Sequence, residues 1–262
     1  MELAAVNGQK IAYEDSGGSG PVVVLAHGFL MDRSMFAPQV AAIRDRYRVV
    51  TWDARGFGET VFDGAPFTYW DLAHDGLGLL DHLGVDRAVV GGMSQGGFVA
   101  LRMALLAPQR VVALVLLDSQ AGTEDPARVP LLQERMEAWI ADGPSADLAE
   151  VAAELVLGDA NLKRTWIPRW MAREPQTLIE PSHALLTRDD ITGQLEQIDV
   201  PALVVHGTAD AAISMERAQA LADGLPGCAG VVAIPDGTHT ANLTHPGAVN
   251  DALITFLDGL QQ

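Results

Sequence analysis

Short, continuously apolar runs alternate with segments of helical periodicity along most of the chain. Continuous apolar runs are typical of parallel strands that helices bury on both faces, and the segments between them repeat apolar residues every three or four positions. This alternation predicts an α/β fold with a mostly parallel central sheet flanked by helices. The predicted strands are 22–26, 48–52, 88–91, 111–117, 201–206 and 230–234, and the predicted helices are 34–46, 69–83, 95–107, 214–224 and 246–260.

The first residues follow a different pattern. Segments 3–6 and 10–13 have alternating apolar residues and are joined by Asn7 and Gly8, which both tolerate the positive φ of a tight hairpin turn. We therefore expect an antiparallel hairpin to precede the parallel sheet.

A helical region interrupts the strand pattern in the second half of the chain. From 121 to 198 the sequence has no strand candidate, and Leu132 and Trp139 fall on one helix face. Strand-like runs resume after this region. We therefore expect one α/β core, formed by residues 1–120 and 199–262, that carries an inserted helical cap of residues 121–198.

Composition and charge narrow the class of protein. The chain has 262 residues, 48% of them hydrophobic, which is enough to bury a large core. Its net charge of −17 disfavours binding to nucleic acid or to anionic membrane surfaces. The longest apolar run, 111–117, is far shorter than the roughly 20 residues of a membrane-spanning helix, and the acidic start does not resemble a secretory signal. We therefore expect a cytoplasmic protein that acts on a small molecule, and the sequence leaves open whether it forms a homodimer.

The chain carries no motif for a cofactor or a metal. Its single cysteine, Cys228, has no partner for a disulfide or a thiolate metal site. The sequence also lacks a P-loop, a dinucleotide-binding glycine motif and a metal-spaced cluster of His, Cys or Asp. We therefore expect chemistry without a cofactor or a metal.

A serine lies between a predicted strand and a predicted helix. The motif Gly-Met-Ser-Gln-Gly at 92–96 follows strand 88–91 and opens helix 95–107, which is the context of a nucleophile elbow. Glycines two positions before and after the serine allow the strand and the helix to approach each other closely. The helix N-terminus also places free N–H groups beside the serine oxygen, where negative charge would develop. We predict that Ser94 is a nucleophile.

Two backbone amides are candidates for stabilising that negative charge. The loop His27-Gly28-Phe29 directly follows strand 22–26 and can bring the Phe29 amide to the serine, while the Gln95 amide opens the helix. We predict an oxyanion hole formed by the amides of Phe29 and Gln95, and a structural role for the His27 side chain.

A serine hydroxyl needs a base, and the base needs an acid that orients it. Among the seven histidines, His239 lies in a turn just after strand 230–234, where its side chain can reach the carboxyl edge of the sheet. Asp210, which follows strand 201–206, gives the chain order Ser, Asp, His that nucleophile-elbow enzymes use. Asp118, at the end of an earlier strand, could also reach the histidine. We favour Asp210 over Asp118 as the acid.

Large apolar side chains are candidates for a substrate pocket. Met93 adjoins the predicted nucleophile, and three tryptophans lie in the predicted cap. These side chains would line an apolar pocket, or they would only pack the cap against the core. The candidate pocket residues are Met93, Trp139, Trp166 and Trp170.

The turn at 53–58 has the sequence Asp-Ala-Arg-Gly-Phe-Gly and follows strand 48–52. Its glycines fit a tight turn, and its two charged residues have opposite sign. We expect Asp53 and Arg55 to pair with each other rather than to take part in catalysis.

Together these motifs resemble the α/β-hydrolase superfamily, and the chain is most similar within it to enol-lactonase-like serine esterases. The resemblance runs from about Gly8 to the last helix and is weakest across 121–198. It includes the turn 53–58, the run Gly-Thr-Ala-Asp at 207–210 and the Asn-Leu pair after the histidine. It implies an α/β-hydrolase fold and cleavage of a small carboxylic ester or lactone without a cofactor. With the predicted residues, our hypothesis is that the reaction passes through an acyl-enzyme on Ser94.

Other activities stay open at this point. Cofactor-free haloperoxidases and carbon–carbon bond hydrolases share the triad, and some members of the superfamily sense a ligand with little turnover. Gln95 stands where many relatives carry methionine or leucine, and Thr240-Ala241 replaces the usual apolar residue after the histidine. A nucleophilic aspartate would indicate a dehalogenase or an epoxide hydrolase, and Ser94 argues against both.

Overall fold

One eight-stranded sheet runs through the computed structural model, which describes residues 1–260. The strands are β1 Glu2–Val6, β2 Gln9–Asp15, β3 Val22–Ala26, β4 Arg48–Trp52, β5 Ala88–Met93, β6 Val111–Leu117, β7 Ala202–Gly207 and β8 Cys228–Ile234. Their spatial order is β1-β2-β4-β3-β5-β6-β7-β8. β2 pairs antiparallel with β1 and β4, and the other neighbouring strands are parallel. The predicted α/β fold with a mostly parallel sheet is confirmed.

The turn between β1 and β2 shows why this sequence forms a hairpin. Asn7 has φ of 47° and Gly8 has φ of 81°, both in the left-handed region that these two residue types adopt at least cost. Val6 pairs with Gln9, so a two-residue turn closes the hairpin.

Helices connect the parallel strands. They are α1 Ala37–Ile43, α2 Tyr69–His82, α3 Gln95–Leu106, α4 Val129–Asp142, α5 Ala146–Val156, α6 Ala160–Met171, α7 Ile179–Thr187, α8 Met215–Gly224, α9 Ala241–Thr244 and α10 Pro246–Gly259. α2 begins in a capping box, in which the side chains of Thr68 and Asp71 accept each other's backbone amides. α3 ends shortly before Pro108, which cannot continue a helix.

The predicted helix 34–46 is split in two. Arg33–Phe36 form a 3₁₀ turn, and α1 starts at Ala37. Pro38 lies at the start of α1 and has no amide to donate to the preceding turn, so the chain begins a new helix there.

Four helices lie between β6 and β7. Within 121–198 the structure contains α4 to α7 with short 3₁₀ turns, and it contains no strand there. α4 and α5 direct apolar side chains, among them Leu132, Trp139 and Leu148, to a cavity that residues at the strand ends also line. None of the helices in the described part of the chain is long and apolar enough to cross a membrane.

The turn after β4 does not pair its own charges. Asp53 accepts the backbone N–H of Arg33 at 2.7 Å and forms an ion pair with its guanidinium. Arg55 pairs instead with Asp75 on α2, with Nε 2.6 Å from Oδ2. The prediction that Asp53 and Arg55 pair with each other was wrong. The Asp53 carboxylate fills the space that a Cβ of Gly58 would need, so the turn closes around it and directs Arg55 toward α2.

Candidate active site

Ser94 lies in the turn between β5 and α3 and has φ of 50° and ψ of −112°. Residues with a side chain rarely adopt positive φ, and such strain is concentrated at functional sites. The turn is tight because Gly92 and Gly96 both face the carbonyl oxygen of Ala26 on β3, which a Cβ at either glycine would hit. The Ser94 side chain lines a cavity, and 8% of the residue is exposed.

Two backbone amides near Ser94 have no hydrogen-bond acceptor among the residues that the structure describes. They belong to Phe29, in the loop after β3, and to Gln95, the first residue of α3. The first amides of a helix have no partner within it and carry partial positive charge. Phe29 and Ser94 line the same cavity. These are the two amides that the sequence predicts to hold an oxyanion.

The His27 side chain fixes the loop that carries Phe29. Its Nδ1 donates to the Gly28 carbonyl at 2.7 Å, and its Nε2 accepts the Ala54 amide at 3.0 Å. Burial lowers the pKa of His27, so the ring is neutral, as this pair of hydrogen bonds requires. His27 thus joins the loop after β3 to the turn after β4.

His239 and Asp210 approach each other from the loops that follow β8 and β7. Nδ1 of His239 lies 2.8 Å from Oδ2 of Asp210. The other carboxylate oxygen accepts the backbone amides of Ala212 and Ile213 at 2.7 and 2.9 Å. Because the carboxylate accepts, Nδ1 carries the proton and Nε2 is the basic nitrogen of the ring.

The pKa of Asp210 keeps its carboxylate ionised, as an acceptor for the Nδ1 proton of His239 must be. Burial by itself raises the pKa of Asp210, but the electrostatic attraction and the hydrogen bond between its carboxylate and the His239 ring outweigh burial and hold the pKa below its ordinary value. His239 and Ser94 line the same cavity. Within residues 1–260 no hydrogen bond joins the Ser94 hydroxyl to the His239 ring. Such contacts are often long in unliganded enzymes and tighten when substrate binds.

Asp118, the second candidate acid, is bound to backbone amides. Its Oδ1 accepts the amide of Gly207 at 2.8 Å, and its Oδ2 accepts the amide of Ala241 at 3.1 Å. The side chain is fully buried, and burial together with the charge of Asp210 raises the pKa of Asp118 well above its ordinary value. Asp118 therefore connects the end of β7 to the start of α9, next to the loops that carry Asp210 and His239. The structure brings Asp210, and not Asp118, to His239.

One cluster in the described part of the chain has the spacing of metal ligands. Ligand atoms of Asp118, His206 and Asp210 lie within 4.8 Å of one another. Nε2 of His206 donates to the Ile213 carbonyl at 2.9 Å, and burial lowers the pKa of this histidine, so it is neutral. The two carboxylates are already bound by backbone amides and by His239. These contacts favour a structural role for the cluster, in which it holds Asp210 and His239 in place, over the binding of a metal.

Ser94 and His239 line one largely apolar cavity, and Trp139 on α4 is the one candidate pocket residue that the structure brings to it. Sequence reasoning missed several charged residues at the wall of this cavity. Charged residues in a segment of helical periodicity are typical of its solvated surface, so the sequence pattern carried no signal for them. The charged residues at the wall are Glu124, Arg128, Arg135 and Arg188.

The other three candidate pocket residues lie elsewhere. Met93 is fully buried, and its sulfur fills the space that a Cβ of Gly28 would need. Trp166 and Trp170 are one turn apart on α6 and line a separate groove beside the 3₁₀ turn that precedes α1. Residues four apart share one helix face, and this face of α6 does not line the cavity of Ser94.

The fold and the site define a known class of protein. A family model described as alpha/beta hydrolase fold matches residues 21–246. The chain belongs to the α/β-hydrolase family, which confirms the resemblance drawn from its motifs. Membership of this family supports a hydrolase activity.

Several relatives match the chain over nearly its whole length. It is 30% identical to a Caulobacter vibrioides protein named as a carbamate hydrolase, RutD, over 99% of this chain and 98% of that protein. A thermophilic esterase from Thermogutta terrifontis is 29% identical, with a TM-score of 0.89 over 99% of this chain and 97% of the esterase. The enol-lactonase from Burkholderia xenovorans LB400 is 27% identical, with a TM-score of 0.89 over 98% of this chain and 99% of the lactonase. The predicted similarity to enol-lactonases is also confirmed.

Proposed function

We propose that the chain is a serine hydrolase that cleaves a small carboxylic ester or lactone through an acyl-enzyme on Ser94, without a cofactor. One observation carries the proposal: the strained Ser94 shares a cavity with His239, whose ring is oriented by Asp210. Relatives named as an esterase and an enol-lactonase support the substrate class.

Acylation is the first half of the proposed reaction. Nε2 of His239 accepts the hydroxyl proton of Ser94 while Oγ attacks the carbonyl carbon of the ester. Negative charge passes to the carbonyl oxygen, where the amides of Phe29 and Gln95 stabilise it. The intermediate then collapses, the C–O bond to the alcohol breaks, and the alcohol takes the proton from His239. In a lactone the alcohol remains attached to the acyl group.

Hydrolysis of the acyl-enzyme is the second half. His239 accepts a proton from a water molecule, whose oxygen attacks the acyl carbon. Collapse of this second intermediate releases the carboxylic acid and returns the proton to Ser94. Asp210 keeps the proton of the resting ring on Nδ1 and stabilises the imidazolium that forms in both halves.

We also propose that residues 121–198 act as a cap on a core of residues 1–120 and 199–262. α4, α5 and α7 supply much of the apolar wall of the cavity. An apolar wall excludes water and strengthens the electrostatic interactions of the oxyanion with its donors.

Release of p-nitrophenol from p-nitrophenyl acetate and butyrate tests the proposal. We expect many turnovers per molecule of enzyme with saturation kinetics, because hydrolysis regenerates Ser94. Release that stops after a single turnover, together with a rise in Tm on ligand binding, would instead indicate a ligand-sensing protein and refute the proposed activity.

A further inference from the structure

Two residues in the wall of the active-site cavity each have a buried polar side-chain atom with no hydrogen-bond partner among residues 1–260. They are Ser182 on α7, whose Oγ has no partner, and Arg188 just after α7, whose Nη2 has none. A buried polar group without a partner is costly, and native structures contain few of them. Both side chains line the cavity that Ser94 and His239 share. This location indicates that a bound molecule supplies the missing partner.

The rest of the Arg188 guanidinium is fixed. Nε donates to the Gly122 carbonyl at 3.1 Å, and Nη1 donates to the Leu185 carbonyl at 2.7 Å. The group also lies over the ring of Phe98, with Cζ 4.7 Å from the ring centroid. The carboxylate of Glu124 is 3.9 Å from Nη2, beyond hydrogen-bond distance. Arg188 therefore holds one N–H₂ group in a fixed position, and no residue in the described range 1–260 accepts a hydrogen bond from it.

Phe98 shows where the Arg188 guanidinium lies relative to Ser94. Phe98 also lines the cavity, and it is four residues after Ser94, about 6 Å along α3 on the same side of the helix. Ser94, Phe98 and Arg188 all line the cavity, and the Arg188 guanidinium contacts the ring that lies one helical turn beyond Ser94.

The charge of the cavity wall is opposite in sign to that of the whole protein. The chain has a net charge of −17, whereas the wall carries Arg128, Arg135 and Arg188 against one glutamate, Glu124. Glu124 is 3.9 Å from both Arg128 and Arg188. Burial lowers the pKa of Arg188, and the nearby carboxylate of Glu124 offsets only part of this effect. A cluster of cations in the cavity of an acidic protein favours an anionic substrate.

We propose that Arg188 and Ser182 form an anion subsite, which binds a carboxylate at the far end of the acyl chain of the substrate. A carboxylate there accepts hydrogen bonds from both side chains and neutralises the buried guanidinium. The preferred substrate is then an ester or lactone of a dicarboxylic acid. The position of the acyl chain in this inference rests on the proposed hydrolase function.

Two p-nitrophenyl esters of matched chain length test the subsite. Mono-p-nitrophenyl glutarate carries the terminal carboxylate, and p-nitrophenyl pentanoate lacks it. We expect the wild type to have the higher kcat/KM for the glutarate ester. Arg188→Met should lower the glutarate-to-pentanoate ratio of kcat/KM by about tenfold to a hundredfold, and Ser182→Ala should lower it by about threefold to tenfold. The effect of Arg188→Met is the larger because both partners of its hydrogen bond are charged, whereas Ser182 is a neutral donor. The ratio is insensitive to partial unfolding, because the same molecules hydrolyse both esters.

Arg44→Met is the matched control, because it removes the same charge from an exposed position at the end of α1. Its glutarate-to-pentanoate ratio should stay within about twofold of the wild-type ratio, as expected for a screened surface charge. Equal ratios in Arg188→Met and Arg44→Met, with the pentanoate ester turned over, would overturn the subsite and leave the hydrolase proposal standing.

Binding of glutarate alone separates the two proposals. We expect glutarate to raise the Tm of the wild type and to leave the Tm of Arg188→Met unchanged. This result without turnover of either ester would support the subsite and overturn the hydrolase proposal. No shift in the wild type and no turnover would overturn both.

Discussion

Replacing Ser94 by alanine is expected to lower kcat/KM for p-nitrophenyl butyrate by roughly a thousandfold to a millionfold, the range found when a catalytic serine is removed. The substitution removes Oγ and leaves the glycine contacts of the turn and the walls of the cavity in place. The neighbouring Ser119 cannot take over, because its Oγ is buried and donates to the Ser94 carbonyl at 2.8 Å. Steady-state release of p-nitrophenol at matched enzyme concentration measures the effect.

Ser19→Ala provides the control for this prediction. Ser19 is exposed in the loop between β2 and β3, so its loss should change kcat/KM by no more than about twofold. Similar Tm values for the two variants would show that the fold is intact. If Ser94→Ala kept more than about a tenth of wild-type activity, Ser94 would not be the nucleophile.

Replacing Asp210 by asparagine is expected to lower kcat by about ten thousandfold with a small change in KM. An amide cannot stabilise the imidazolium of His239. Its NH₂ group also favours the tautomer with the proton on Nε2, which cannot accept the Ser94 proton. The amides of Ala212 and Ile213 still have an oxygen to bind, so the side chain keeps its place. Steady-state kinetics with p-nitrophenyl butyrate separate kcat from KM.

Asp118→Asn distinguishes the two candidate acids. Because the pKa of Asp118 is raised in the native state, folding takes up a proton at pH values where Asp118 of the unfolded chain is ionised. The free energy of unfolding of the wild type therefore contains a contribution that falls as pH rises from about 4 toward the raised native pKa. We expect the variant to lose this contribution, which urea unfolding across this pH range measures, and to keep kcat within about tenfold of wild type. An equal loss of kcat in Asp118→Asn and Asp210→Asn would be inconsistent with Asp210 as the acid.

Much of the fold, together with the position of the candidate nucleophile in a tight strand-to-helix turn, can be predicted from the sequence because the signals are local. Continuous apolar runs identify the parallel strands, and Gly92 and Gly96 identify the elbow at Ser94, since each signal depends on residues a few positions apart. The Asn7-Gly8 hairpin is local in the same sense.

The remaining features depend on contacts between distant segments. Asp118 and Asp210 both follow parallel strands. Only the folded chain shows that Asp118 accepts backbone amides from the end of β7 and the start of α9. Arg55 forms an ion pair with Asp75, which is twenty positions away, and not with Asp53 in its own turn. Arg188 is typical of a solvated position in the sequence pattern, yet packing buries it over Phe98 at the wall of the cavity.

Mass spectrometry of enzyme quenched during turnover of p-nitrophenyl trimethylacetate is the most direct measurement of the proposed chemistry. The bulky acyl group slows hydrolysis of the acyl-enzyme, so the intermediate accumulates. We predict one trimethylacetyl group on the peptide that contains Ser94, and no such group in Ser94→Ala. Continued release of p-nitrophenol without an adduct, or an adduct on another residue, would contradict an acyl-enzyme on Ser94.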